Sequence, residues 1–282
     1  AVAGGALNLS ATNNLTVRNA GATLTSAVIT LKAGNTIDIA GTSKIAATGA
    51  FDGNGLDARN INLIGAVGGN ILIEDGAKLA SSGAIRLGGG AKDGFNSLSI
   101  GRGVSLQARE YDFQATAIAL GTDQVAPGGI ALDAGLVQQI AGAERLVLRS
   151  GSTIDIYGSA KIGGVDGKGA PTLQRLVLDS AGLRGFGAAG DSAVLTAGTV
   201  AIANTRGLNA DASGATGAGT LTIAALNFTA PPLVDPNQDQ INNPAARVSG
   251  DVFVQGNLAS AGFATTALNA ADRVVVGLGN TA

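Results

Sequence analysis

The chain has 282 residues with 18 basic and 20 acidic side chains, a net charge of -2, 44 glycines, 6 prolines and no Cys, His, Met or Trp. That balance lacks the positive footprint that phosphate contacts demand, which excludes a nucleic-acid partner. It also excludes disulfides, thiolate or imidazole metal sites, and any triad built on His or Cys. Hydrophobics reach 45% while aromatics are only 3% and charged residues 13%, so the interior must be narrow and filled by small or branched aliphatic side chains. Collagen fails as well, because glycine does not recur at every third position and proline is scarce.

In chain order, short runs of strict alternation read as strands. They begin with Leu7-Asn-Leu9, Leu15-Thr-Val17, Ile29-Thr-Leu31 and Ile37-Asp-Ile39. They continue through Ile61-Asn-Leu63, Ile85-Arg-Leu87, Leu98-Ser-Ile100 and Ile130-Ala-Leu132. Later members are Leu146-Val-Leu148, Ile154-Asp-Ile156, Leu176-Val-Leu178, Val200-Ala-Ile202, Leu221-Thr-Ile223, Val252-Phe-Val254 and Val274-Val-Val276. Gly, Asn, Asp or Ser interrupts nearly every pair of runs, as turns require.

One unit repeats clearly. Ile29-Thr-Leu-Lys-Ala-Gly-Asn-Thr-Ile-Asp-Ile39 returns as Leu146-Val-Leu-Arg-Ser-Gly-Ser-Thr-Ile-Asp-Ile156, and the copies continue as Ala40-Gly-Thr-Ser-Lys-Ile45 and Tyr157-Gly-Ser-Ala-Lys-Ile162. A strand–turn–strand unit of this kind cannot bury its apolar face alone, but stacked copies can. The predicted fold is therefore all-β, a single-stranded parallel β-solenoid, with the handedness of parallel crossovers favouring a right-handed β-helix. An antiparallel sandwich or barrel is the rival architecture. Coils of about 20 to 25 residues would give roughly a dozen coils, rising about 4.8 Å each. The two flanking residues of each run would point inward and the middle one outward.

Residues 1–282 read as one continuous shaft with excursions. The strongest is 231–244, which holds four of the six prolines; proline cannot donate to a ladder, so this segment leaves the sheets. Smaller loops are expected near 108–125, which carries Tyr111 and Phe113, and at 185–191 and 210–219. The chain starts Ala1-Val2-Ala3, and the expectation is a slice of a longer exported protein.

Candidate sites are few. Outward Asp38, Asp133, Asp155 and Asp179, with Lys32, Arg86, Arg149 and Arg175 nearby in sequence, would serve glycoside hydrolysis if two carboxyls came about 5 to 9.5 Å apart. The plainer reading is a solvated sheet face. Asp52, Asn54 and Asp57 crowd oxygens into a Gly-rich turn and are the calcium candidates. Asp166-Gly-Lys-Gly169 is a second turn of the same kind. Tyr111, Tyr157, Asp235 and Asn237 are the candidate recognition residues. No catalytic or cofactor-binding residue is assigned.

The unit Leu-x-Leu-x-x-Gly-x-Thr-Ile-Asp-Ile, with the runs Leu7–Val17 and Asn70–Leu79, resembles the shaft of filamentous-haemagglutinin-like exoproteins, passengers of two-partner secretion, and of related autotransporters. The resemblance implies a right-handed β-helix at the Gram-negative cell surface and export through an outer-membrane β-barrel partner. It also implies attachment, aggregation or biofilm formation, with a host or neighbouring-cell glycan or protein as partner, and virulence as a context. The family's amino-terminal Asn-Pro-Asn-Leu and Asn-Pro-Asn-Gly-Ile motifs are missing, which supports an internal segment. The expected function is thus a structural or adhesive rod without a chemical step. The alternatives are a polysaccharide-degrading β-helix enzyme and a self-assembling extracellular filament subunit.

Overall fold

The computed structural model describes residues 5–18, 23–47, 59–89, 96–125, 128–227 and 250–277. Strand accounts for 54% and helix for 3% of them, and the strands pair in parallel. The chain divides into two compact units, Ala1–Thr116 with Ala126–Ile130, and Ala117–Val125 with Ala131–Ala282.

In the first unit three rows of strands run side by side. The longest row is Ala6–Ala11, Val28–Ala33, Ile61–Gly65, Ala84–Leu87 and Glu110–Ala115. A second row is Asn14–Val17, Thr36–Ile39, Asn70–Ile73 and Ser97–Ile100, and a third is Thr23–Thr25, Lys44–Ala47, Lys78–Ser81 and Ser105–Gln107. The chain visits one row after another and then returns to the first, so within these three rows no two consecutive strands pair with each other.

The register explains the sequence pattern. Leu7 pairs with Ile29, Ile29 with Ile61, Ile61 with Ile85, and Ile85 with Tyr111. Ile37 pairs with Ile71 and Ile45 with Leu79. Like side chains therefore stack on like, and Ile29, Leu31, Ile37, Ile39, Ile61, Leu63 and Ile73 are fully buried. Such stacks need no large aromatic filler, which accounts for the composition.

The second unit repeats the scheme. Its long row is Arg145–Ser150, Arg175–Asp179, Thr199–Ala203, Val252–Gln255 and Val274–Gly277. A second row contains Ile118–Leu120, Thr153–Ile156, Gly182–Gly185 and Ala259–Ala261. The third is Lys161–Ile162, Ser192–Ala197, Gly219–Ala225 and Phe263–Ala270. Leu146, Leu176, Val200 and Val252 stack in turn, all within 1% of full burial.

Among the described residues the long row thus has five strands in each unit, ten in all, against roughly a dozen coils of regular length expected for the whole chain. The step from Leu7 to Ile29 is 22 residues and from Ile29 to Ile61 it is 32. From Val200 to Val252 it is 52. The pairing of the long row continues in register on both sides of these longer steps.

Three further expectations change. Residues 108–125 do not form an outward excursion throughout: Glu110–Ala115 is a strand of the long row, with Tyr111 at 1% and Phe113 at 0% exposure. Phe113 lies over Leu87 in register, and the Tyr111 hydroxyl donates to the Leu106 carbonyl at 3.2 Å. Tyr111 is thereby withdrawn from recognition, because its ring fills the core. A helix, Ala134–Ile140, was not anticipated; Asp133 caps it by accepting from Leu136 N at 2.8 Å. Finally, the middle residues of the second unit's long row are not all outward and solvated. Val147, Val177 and Ala201 are buried together, with Phe253 packed against them.

The loops at 185–191 and 210–219 fall between strands for most of their length. The 231–244 segment lies outside the described residues. No helix among those described is long and apolar enough to cross a membrane.

Candidate functional site

The densest cluster of outward chemistry lies in the second unit, where Thr153–Ile156 and Gly182–Gly185 run side by side. Their register places Asp155 opposite Arg184, and alternation sends both side chains away from Ile154, Ile156 and Leu183, which are buried. Arg184 Nε donates to Asp155 Oδ1 at 2.7 Å and Nη2 to Oδ2 at 2.6 Å, a bidentate fork. Its Nη1 reaches the Ser213 carbonyl at 3.0 Å. Thr153 Oγ1 donates to Asp155 Oδ1 at 2.8 Å.

Tyr157 and Phe186 follow directly after these two strands. Because the strands are neighbours about 4.8 Å apart, the two rings stack, with centroids 4.8 Å apart and planes 14° from parallel. The Arg184 guanidinium sits 5.5 Å from the Phe186 centroid, close enough for a cation–π contact. Both rings are half-buried. Gly121, with φ of 78°, lies against Tyr157, and a side chain there would strike the Tyr157 carbonyl.

At the Thr153 end of the strand, sharing Arg184 with this cluster, is a cleft of about 310 Å³ lined also by Leu208, Asn209 and Asp211. Its far wall is held by Asn204, whose Nδ2 donates to the Leu208 and Asn257 carbonyls at 2.7 Å each and whose Oδ1 accepts from Leu208 N at 2.8 Å. Hydrogen bonds from Ser213 hold the Asp211 carboxyl below its usual range, and Arg184 adds to this. The Tyr157 hydroxyl is pushed up, first by burial and then by the Asp155 charge, with Arg184 opposing. Hydrogen bonding to Asp155 keeps the Arg184 cation firmly protonated.

The remaining acidic candidates do not join this site. Asp179 is buried and receives Arg149 Nη1 at 3.0 Å, Thr205 N at 2.9 Å and Thr205 Oγ1 at 2.6 Å. It binds rungs together; it shares the outward face of Val177 but is buried there instead of solvated. Asp133 caps the helix. Asp38 belongs to the first unit, 3.7 Å from Arg18, and its carboxyl is raised by burial and by neighbouring Glu74. Glu74 in turn accepts from Gly41 N at 2.7 Å.

Asp166 Oδ1 accepts from Lys168 N at 2.8 Å and Ala170 N at 2.9 Å, a side-chain-closed turn. The calcium candidates Asp52, Asn54 and Asp57, and the recognition candidates Asp235 and Asn237, lie outside the described residues. Among those described, no group of three or more acidic side chains is placed to hold a metal ion.

Arg184, Phe186 and Asp211 were not singled out by sequence. The signal was faint: Gly182-Leu-Arg-Gly185 lacks the alternating aliphatic pair, and only its register against Ile154-Asp-Ile156 reveals the Arg–Asp pair. Comparison with family models, curated proteins and solved structures gives no match.

Proposed function

We propose that the chain is part of the structural and adhesive rod of a large secreted bacterial surface protein. In this reading it is a right-handed β-helix of the kind found in filamentous-haemagglutinin-like exoproteins or autotransporter shafts. Export would use an outer-membrane β-barrel partner, and the working location is the cell surface. The observation that carries the proposal is the in-register stacking of like rungs: it commits most of the described aliphatic residues to the core and leaves outward polar positions such as Asp155 and Arg184 for contact.

The contact surface we assign is the Tyr157–Phe186 stack with Arg184, Asp155 and the adjoining cleft. Aromatic faces beside fixed polar groups suit the apolar face and hydroxyls of a sugar ring, and binding there needs no chemical step. The test is a glycan array probed with the chain and with Tyr157→Ala and Phe186→Ala. Selective binding lost in both variants is expected. Absence of binding, or variants that bind like the parent, would remove the site from the proposal.

A further inference from the structure

The helix Ala134–Ile140 interrupts a unit otherwise built from strands, and it does not fill the space it occupies. It buries only Leu136 and Ile140, four residues apart on one stripe. Beside it lies a cavity of about 450 Å³, contained entirely in the second unit. Its floor is formed by Leu120, Leu132, Ile162 and Leu173, each no more than 3% exposed. Val137 forms one wall.

A water held against this floor would need two or more polar partners to stay. This floor offers none from its side chains. The size falls within the range of small-molecule sites, which are concave and mainly apolar with a few polar groups.

The polar groups sit around the apolar floor, and most are already engaged. Asp133 is spent on the helix cap, accepting from Leu136 N. Ser159 donates to Asp191 Oδ1 at 3.1 Å, and Thr172 Oγ1 lies 3.4 Å from the Gly164 carbonyl. Lys161 lines the same cavity, is exposed, and has no ion-pair partner among the described residues. One unpaired cation therefore stands beside an apolar hole.

We infer that this cavity binds a small amphiphile, an aliphatic chain carrying one anionic head group, with the chain against the accessible apolar lining at Val137 and Ala141 and the head at Lys161. Because its lining includes none of Tyr157, Phe186, Arg184 and Asp155, it operates whether or not the chain is adhesive.

Anilinonaphthalene sulfonate, which joins an apolar ring system to one anion, is the probe. Titrated into the whole 282-residue chain, it should bind saturably at one site and be displaced by decanoate. Decanol should displace it about fivefold less well, the worth of one exposed ion pair. Val137→Trp, which fills the cavity, should abolish binding without altering the circular dichroism spectrum. Lys161→Gln sits on the surface and should leave the fold intact while erasing the preference for decanoate over decanol. The inference is overturned if binding is unsaturable or absent. It is equally overturned if a folded Val137→Trp binds like the parent, or if Lys161→Gln keeps the preference.

Discussion

The two units build their long rows from the same inward residues but opposite outward ones. In the first unit the outward positions Asn8, Thr30, Asn62, Arg86 and Asp112 fall in register. They form a polar ladder: Asn62 Nδ2 reaches Thr30 Oγ1 at 3.3 Å and Arg86 Nη1 lies 3.4 Å from Asn62 Oδ1. In the second unit the equivalent ladder is Val147, Val177, Ala201 and Phe253, and its first three members are buried. Stacking thus makes a column of whatever stands at the outward position. A polar column remains in contact with solvent, whereas an apolar column becomes a second core.

The largest expected effect follows from that contrast. Val177→Asp places an unpaired charge in the apolar column and should destabilise the chain by about 5 kcal/mol. Asn62→Asp, at the matching position of the polar ladder, should change stability by less than about 0.5 kcal/mol. Urea denaturation of the two variants measures the difference, and equal losses would break the comparison.

Next is the buried Arg149–Asp179 ion pair of the second unit's row. Asp179→Ala leaves Arg149 buried without its carboxylate and should cost about 3 kcal/mol by the same assay. Replacing both partners together, Arg149→Met with Asp179→Leu, should recover most of that loss. Asp133→Ala removes a helix cap and should cost about 1 kcal/mol, seen as faster amide exchange across 134–140.

The smallest effect belongs to the first unit. Asp38 has a raised folded pKa, so the folded state holds its proton more tightly than the unfolded chain, whose value is near 3.8. Its contribution favours folding below that pH and is lost as pH rises through the folded value. Asp38→Asn should therefore stabilise the chain slightly at neutral pH, and the gain should vanish below about pH 4. A gain that grows as pH falls would contradict the assigned cause.

Much of the fold was legible because its rule is local. Ile29, Leu31, Ile37 and Ile39 alternate with polar residues, and their recurrence at Leu146, Leu148, Ile154 and Ile156 marks a stacked unit. Features set by neighbouring rungs were not legible. Tyr111 looks like a surface ring until its register over Ile85 places it in the core. Val147 looks outward and solvated until Val177 and Ala201 fall beside it. The candidate site was half visible: Asp155 and Tyr157 stand in the repeat, but Arg184 and Phe186 meet them only after a full rung intervenes. The helix had its cue in Asp133 followed by Leu136 and Ile140, which the surrounding strand pattern obscured.

The central claim is that rungs stack in parallel, with like positions adjacent, and the absence of cysteine allows a direct measurement. Thr30 and Asn62 are register partners in adjacent strands, which lie about 4.8 Å apart and within the roughly 4.4–6.8 Å that a disulfide spans. Oxidised Thr30→Cys/Asn62→Cys should form an intramolecular disulfide in the folded chain. Thr30→Cys/Ile64→Cys, offset by two residues along the strand and so beyond about 7 Å, should remain reduced. Equal cross-linking of both pairs, or cross-linking of the offset pair alone, would contradict the stacking on which the proposed function rests.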